Sequence, residues 1–471
     1  MDDIRAKLEA NNMQMDSEII FELIAGHNTM AMYEGVRYYQ IKNDILNRKM
    51  FYYDTNGSPI EDETKENRRL AHGWHRLLVD QKVSYLVGRP MVFSVDITQQ
   101  DQKEDYADKL DLLFGEVWDD TVADIATNAS NKGLEWLHIY IDKNGCFKYV
   151  IIPAEEVIPI YDNVHQKSLG GVLHYYIVQV DGATRYRAEW WTRETVTVYL
   201  ENSNGGFEPD TSEPENPAPH FRQMGVPHCW GKVPFIGFLN NSMKTGDLEV
   251  TKTLIDEYDL GVADFANNIG EIQDVITILK GYEGTSLAEF RHNLRYFKTI
   301  KVRPGSDHGV SKLELNIPVE ANKEHLNRLE ENIFMFGQGV NTKTDKFGNS
   351  PSGASLEFLF TLLDLKASMM ERKFRRSIKQ LLWFATHYIN LAYNKTFDSQ
   401  CVVVTFRKNL VQNVREIVDT LKTSRDMISD ESIVKLHPMI ESPTDEFQKL
   451  IVQRKEEAAQ TIDLSMVNIH E

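Results

Sequence analysis

The sequence predicts an α+β chain, and three observations carry that prediction. Apolar residues recur at three/four spacing through several long segments. Between them, residues 134–201 switch to a period of two. The alternating runs are separated by Asn-Gly and Asp-Gly turns rather than by helices, so strands and helices are segregated. A chain of 471 residues, 42% hydrophobic and 26% charged, can bury a large core, and its length suits about two to four domains.

In chain order, residues 17–50 and 66–87 have helical spacing, and Gly88-Arg89-Pro90 stops the second; an acidic helix is expected at about 104–131. Six runs follow, from LEWLHIYID through CFKYVIIP, EVIPIYD, GVLHYYIVQVD and TRYRAEWWT to TVTVYLE, which read as one antiparallel meander of six strands. Residues 202–222 are rich in Gly, Pro, Ser and Glu and read as an exposed loop. From Ile255 the apolar positions Tyr258, Val262, Phe265, Ile269, Ile272, Ile276 and Leu279 keep three/four spacing, predicting one helix with a buried stripe over 247–280. The remainder of that helix carries Asp256, Glu257, Asp259, Asp264, Glu271 and Asp274, of which Glu257, Asp264 and Glu271 stand seven apart and share a face. A solvated helix face usually mixes charge signs for i,i+4 support, and this one does not.

Residues 281–318 read as a small α/β tip, and Leu326, Leu329, Ile333 and Phe336 define a returning helix at 319–337. A long helix at about 354–395 would span ~60 Å; its basic run Arg372, Lys373, Arg375, Arg376 and Lys379 suits nucleic acid or, better, the acidic surface of a second copy. QCVVVTFRKN is a further strand, and 411–471 is helical.

Several function classes are excluded. The three cysteines, Cys146, Cys229 and Cys401, have no CxxC spacing and read as free thiols; His228 beside Cys229 lacks a second pair, so no metal is expected. No apolar run approaches the roughly 18 residues of a membrane span, and the first residues are acidic and polar, unlike a signal peptide, which points to a cytoplasmic chain without a membrane partner. A net charge of −18 argues against wrapping nucleic acid with a basic surface, though not against a surface past which a polyanion slides. No Ser/His/Asp, Cys/His or paired-carboxylate arrangement stands out among the 14 histidines and 70 acids, so the chain reads as no enzyme, with no catalytic residue and no cofactor. Gly348 and Gly353 have the spacing of a phosphate loop, but Ala354 stands where its lysine belongs and a helix, not a strand, precedes. The glycines Gly337, Gly339, Gly348 and Gly353 instead suit a loop that bends between two helices.

The motifs NRRLAHGWHRLLVDQKVSYLVGRP, YVIIPAEEVIPIYD, GKVPFIGFLNN with LIDEYD, LKGYEG, and DKFGNSPSGASLEFLF with LDLKASMMERKFRRSI occur in an order and spacing that resemble the portal proteins of tailed bacteriophages. The resemblance is to the branch from long-tailed phages of Gram-positive bacteria and covers roughly 17–450, with 202–222 the segment that departs most. It implies a ring of twelve around an axial channel at one capsid vertex of the virion, assembled in the host bacterial cytoplasm. The implied parts are a wing whose N-terminal portion is 1–246, a stem helix at 247–280, a clip at 281–318, and a second stem helix at 319–337. A tunnel loop at 338–353, the long wing helix and strand at 354–410, and a crown at 411–471 complete it.

The implied partners are double-stranded viral DNA in the channel, the terminase large and small subunits, scaffolding and major capsid proteins, and a head-completion adaptor. The tunnel loop would present Asn341, Thr342, Lys343, Thr344, Asp345, Lys346, Phe347 and Asn349 to DNA. Glu257, Asp264 and Glu271 would form an acidic channel wall, and Tyr282, Glu283, Glu289, Arg303, Asp307 and His308 a clip docking surface. Two other classes remain as alternatives: a cytoplasmic scaffolding ring with no DNA role, and a nucleotide-driven motor subunit, against which the missing loop lysine counts.

Overall fold

The computed structural model describes residues 7–8, 14–63, 65–162, 168–223, 225–272, 276–280, 286, 309–313, 318–342, 353–409, 414–425, 427–437, 439–440 and 446–454. They form two compact units, Met1–Gly339 with Lys366–Lys408, and Val340–Leu365 with Asn409–Glu471. Among the described residues, no helix is long and apolar enough to cross a membrane.

The first unit opens with helices α1 (Ser17–Gly26) and α2 (Met30–Tyr39), a short 3-10 turn, and a hairpin of β1 (Phe51–Tyr53) and β2 (Pro59–Glu61). The expected single helix over 17–50 is broken at His27, whose backbone is extended. Helix α3 (Trp74–Val87) also starts later than expected: 66–73 is irregular rather than helical. Strand β3 (Val92–Val95) and helix α4 (Gln100–Lys132) follow. Gly115, at φ 47° and ψ −154°, kinks α4 in a conformation that a side chain would strain.

The period-two region forms two sheets rather than one meander. Strands β4 (Leu134–Ile141) and β5 (Phe147–Ile152) pair with each other, and β4 pairs on its other edge with β14 (Phe235–Leu239), giving the order β14-β4-β5. The next strands are β6 (Val157–Tyr161), β7 (Leu169–Val180), β8 (Ala183–Trp191), β9 (Thr195–Glu201), β10 (Phe207–Pro209) and β11 (Ala218–Pro219). They form a second antiparallel sheet in the order β10-β9-β8-β7-β6, with β11 also on β9. The break falls at Pro153, which cannot donate to a ladder and opens a 3-10 turn at Ala154–Glu156. Helix α1 covers one face of this sheet, with Ile19, Ile20 and Leu23 against Ile158, Leu173 and Trp190. Trp136, Val157, Val172 and Phe235 form one core across both sheets.

Residues 202–222 are not the exposed loop that their polarity suggested. Phe207, Asp210 and Phe221 are buried, and Arg187 of β8 pairs with both Asp210 and Glu213. Asn216 docks as a surrogate strand residue, accepting from Val198 N at 2.9 Å and donating to Val198 O at 2.7 Å. A hairpin of β12 (Phe221–Gln223) and β13 (Val226–His228) then leads to β14.

Helix α5 (Leu248–Ile272) ends well before Lys280, because the last predicted turn is instead strand β15 (Ile276–Lys280). Ile276, Thr277 and Ile278 are β-branched and favour extended backbone, so apolar spacing alone misread them. Strand β15 pairs with β16 (Gly309–Leu313), Ile276 opposite Leu313, and helix α6 (Val319–Gly337) returns. The long helix α7 (Gly353–Tyr393) and strand β17 (Val402–Thr405), which pairs with β3, complete the first unit; the start of α7 belongs to the second. The second unit also holds α8 (Val414–Thr423), α9 (Asp430–Leu436) and a helical stretch at 446–454, so the expected helical C-terminal region is interrupted.

Three histidines of the first unit are enclosed, His138 and His220 against aromatic rings and His75 near the charges of Asp247, Lys82 and Lys366. His138 lies 4.5 Å from the Phe235 ring, His220 packs on Trp191, and His75 shares a hydrogen bond with Asn131 at 2.9 Å. Burial lowers each pKa from 6.5 to about 4. The unfolded chain therefore binds more protons between pH 4 and 6.5, and their contribution to stability, present above pH 6.5, is lost as pH falls. Glu135, raised to about 7 by burial, acts in the opposite sense over much of the same window. His27 and His387, also lowered by burial, act in the same sense as the three histidines, so denaturant titrations are expected to show stability falling from pH 6.5 to 4.5 with a net uptake of protons on unfolding.

Candidate functional site

The site is built around α5. Ile255 and Ala263 are fully buried, and Ile255 clusters with Tyr38, Leu78, Leu248, Ile333 and Phe334. Helix α6 runs antiparallel beside it: Ile255 meets Ile333 at one level, and Leu326 approaches Gly261 further along. On α6 the buried residues are Leu329, Glu330, Ile333, Phe334 and Gly337; Phe336, expected on that stripe, is 54% exposed.

The ends of the two helices are tied by a buried charge cluster. Asp247, just before α5, accepts from Lys82 of α3 at 2.6 Å and from Asn240 at 2.9 Å, and pairs with Lys366 of α7 at 3.1 Å. Lys82 also donates to Asn240 Oδ1 at 2.7 Å, and Lys366 donates to the carbonyl of Gly337, the last residue of α6, at 2.8 Å. Burial lowers the Lys82 pKa to about 8, whereas the two lysines hold the Asp247 carboxyl far below the usual range despite its burial. The start of α5, the end of α6 and the middle of α7 thus share one electrostatic knot.

Gly337 and Gly339 serve this packing rather than loop bending. A Cβ on either would lie 2.5 or 2.3 Å from the Leu78 side chain, and the left-handed residue between them is Gln338, at φ 55°.

A second flank of α5 is covered by residues 43–48 and 66–72, which make up a polar strap. Asp259 is fully buried: Oδ2 accepts from Asn43 Nδ2 at 2.6 Å, and Oδ1 from His72 N at 3.0 Å and His72 Nδ1 at 2.7 Å. Asn267 Oδ1 accepts from Arg68 N at 2.8 Å, Asn67 donates to Arg48 O, and Arg48 pairs with Asp264 at 2.5 Å. Asp256 takes the Tyr38 hydroxyl and Lys252, which also reaches Asp44. Two backbone amides of 66–73 thus satisfy α5 side chains, which explains why that stretch is not helical despite its spacing. Sequence reasoning missed the strap; its only signal was the polar NRRLAHG string before Trp74.

The acidic helix therefore divides in two, and the expectation of one unbalanced acidic face is corrected: Asp256 and Asp259 serve the strap. The open stripe holds Glu249, Val250, Thr253, Glu257, Leu260 and Asn268, all exposed, with Asp264 half-exposed at its edge. Glu257 remains accessible and lies 3.4 Å from His325 of α6. The sequence-predicted residues Glu257 and Asp264 thus share one solvent-facing side of α5, whereas the Glu271 side chain lies outside the described residues. Asn341 and Thr342 follow α6; Lys343, Thr344, Asp345, Lys346, Phe347 and Asn349 lie outside the described residues, as do Tyr282, Glu283, Glu289, Arg303, Asp307 and His308. Among the described residues no group of His, Cys, Asp and Glu is arranged to hold a metal.

The chain belongs to the phage portal protein family: residues 29–460 match the family described as phage portal protein, SPP1 Gp6-like. It is 35% identical over 440 residues to the portal protein of Bacillus phage SPP1, covering 92% of this chain and 86% of that one. It is 31% identical over 435 residues to the portal protein of Clostridium phage phiCD119, covering 89% and 91%. A solved structure titled as the neck of an empty GTA particle, computed with C6 symmetry, aligns with TM-score 0.42 and 9% identity over 78% of this chain and 90% of that one.

Proposed function

We propose that copies of this chain close into a ring of twelve at one capsid vertex and form the conduit through which double-stranded viral DNA is packaged and ejected. Its clip would dock terminase and later a head-completion adaptor. The supporting observation is the disposition of α5. Its back packs on the core, α6 covers one flank, the strap covers the other, and the remaining stripe, carrying Glu257 and Asp264, is open. With the flanks occupied, that stripe is the side left to face an axial channel. Twelve copies, each of net charge −18, total about −216, a surface that repels a polyanion and lets it slide. In this reading 338–353 is the tunnel loop, with Lys343 and Lys346 as weak, exchangeable phosphate contacts.

Replacing Glu257, Asp264 and Glu271 with lysine is expected to leave rings assembled while impeding DNA passage in a strongly salt-dependent way, because a repelling wall becomes a binding one. The measurement is the length of DNA packaged per capsid. Full-length packaging at low salt by rings of this variant would count against the assignment.

A further inference from the structure

We propose that neighbouring copies are joined by two complementary helical stripes, Met369, Arg372, Arg376 and Lys379 on α7 of one copy against Asp101, Glu104, Asp108 and Asp111 on α4 of the next. This rests on the ring reading above and assigns the surfaces that would close it. The basic stripe has spacing three, four, three along α7; the acidic stripe has the same spacing along α4, so each presents one helix face about 15 Å long. Laid antiparallel, Lys379 stands opposite Asp101, Arg376 opposite Glu104, Arg372 opposite Asp108, and Met369 opposite Asp111 beside Leu112.

The three bases and the four acids are all exposed, and the apolar ends match: Met369 is 56% and Leu112 73% exposed. Off the stripes, Asp105 pairs with Lys109 and Lys395, and Arg375 with Glu371; on the basic stripe, Arg376 also makes a contact within its own chain. None of the four stripe acids is ion-paired among the described residues. Crowding shows at Asp111, whose carboxyl is raised by partial burial and by the Asp108 charge. A cation beside this pair would relieve that repulsion. The occupant is a second copy because complementarity in sign, spacing and apolar end is found on this chain itself. Two different surfaces meeting head to tail make a heterologous contact, the type that closes rings. In a chain of net charge −18, a helix face with three cations and no acid would otherwise be a nucleic-acid contact, and the test separates the two.

The experiment compares wild type, R372E/R376E/K379E, D101K/E104K/D108K and the six-fold combination by native mass measurement, with circular dichroism reporting the fold. Each triple variant is expected to weaken assembly at least tenfold at moderate salt while remaining folded, and the six-fold variant to restore rings. Folded triple variants that assemble like wild type would overturn the proposal, as would a six-fold variant that stays dissociated. Intact rings that have only lost affinity for duplex DNA would assign the basic stripe to DNA and equally overturn it. Should a triple variant fail to fold, R372Q/R376Q/K379Q takes its place: rings of wild type are expected to loosen with salt and those of the neutral variant to be weaker and less salt-sensitive. Equal stability and salt response would contradict the pairing. Absence of rings in wild type at every concentration would instead sink the ring reading itself.

Discussion

Asp247→Ala is expected to lower the unfolding free energy by about 3–5 kcal/mol, the usual cost of removing one partner from a buried charge cluster. The substitution leaves Lys82, with a side chain only 1% exposed, without its anion and places it near the cation of Lys366. It also removes the acceptor that connects the start of α5 to α7. Lys82→Met in the same background should recover part of the loss, because the double variant no longer buries an unpaired ammonium. Denaturant midpoints of the two variants and the wild type give the comparison. A loss under about 1 kcal/mol in Asp247→Ala, with no recovery in the double variant, would show that the cluster is not the knot described here.

Asp259→Ala has the second largest expected effect, and it is local. Three donors, the His72 amide, His72 Nδ1 and Asn43 Nδ2, lose their acceptor beneath the strap. A loss of about 3 kcal/mol is expected from leaving such groups unpaired. Residues 66–73 are held to α5 by few other contacts, so they should open first. Hydrogen exchange in 66–73 should accelerate roughly a hundredfold while amides of α5 and α6 stay protected. Uniform acceleration across both regions would mean the strap and the helical pair unfold as one unit. Unchanged exchange would mean that Asp259 does not fasten it.

What was legible in the sequence follows the range of the interactions involved. The stripe expected on α5 was only partly right: Ile255 is buried, but Tyr258, Val262 and Phe265 are half-buried and Ile269 is 43% exposed, while the fully buried row is Thr251, Ile255, Asp259, Ala263 and Asn267; on α6, Leu329 and Ile333 were readable because helix periodicity is local. The end of α5 was not, since the run from Ile276 to Ile278 satisfies three/four spacing and strand propensity together, and only pairing with β16 decides between them. The burial of Asp259 was hidden because its partners lie 216 and 187 residues away. In isolation it is one more acid on a polar helix side. Division of the strands into two sheets was equally hidden: β14 arrives from beyond residues 202–222 to take the edge of β4 that a meander would have left free. Glu257 and Asp264 were placed on one side of α5 by their seven-residue spacing alone, and they are together there. The cations that meet that side, Arg48 and His325, come from other elements and could not be read from the helix.

The reading of α5 as a channel wall is tested most directly by an electron-microscopy reconstruction of the purified assembly viewed down its axis. A closed ring of about 650 kDa is expected from twelve chains of 54.3 kDa, with the stripe of Glu257 and Asp264 turned toward the lumen and the strap and α6 toward neighbouring subunits. A closed ring in which that stripe lies buried between subunits, or faces outward, would contradict it.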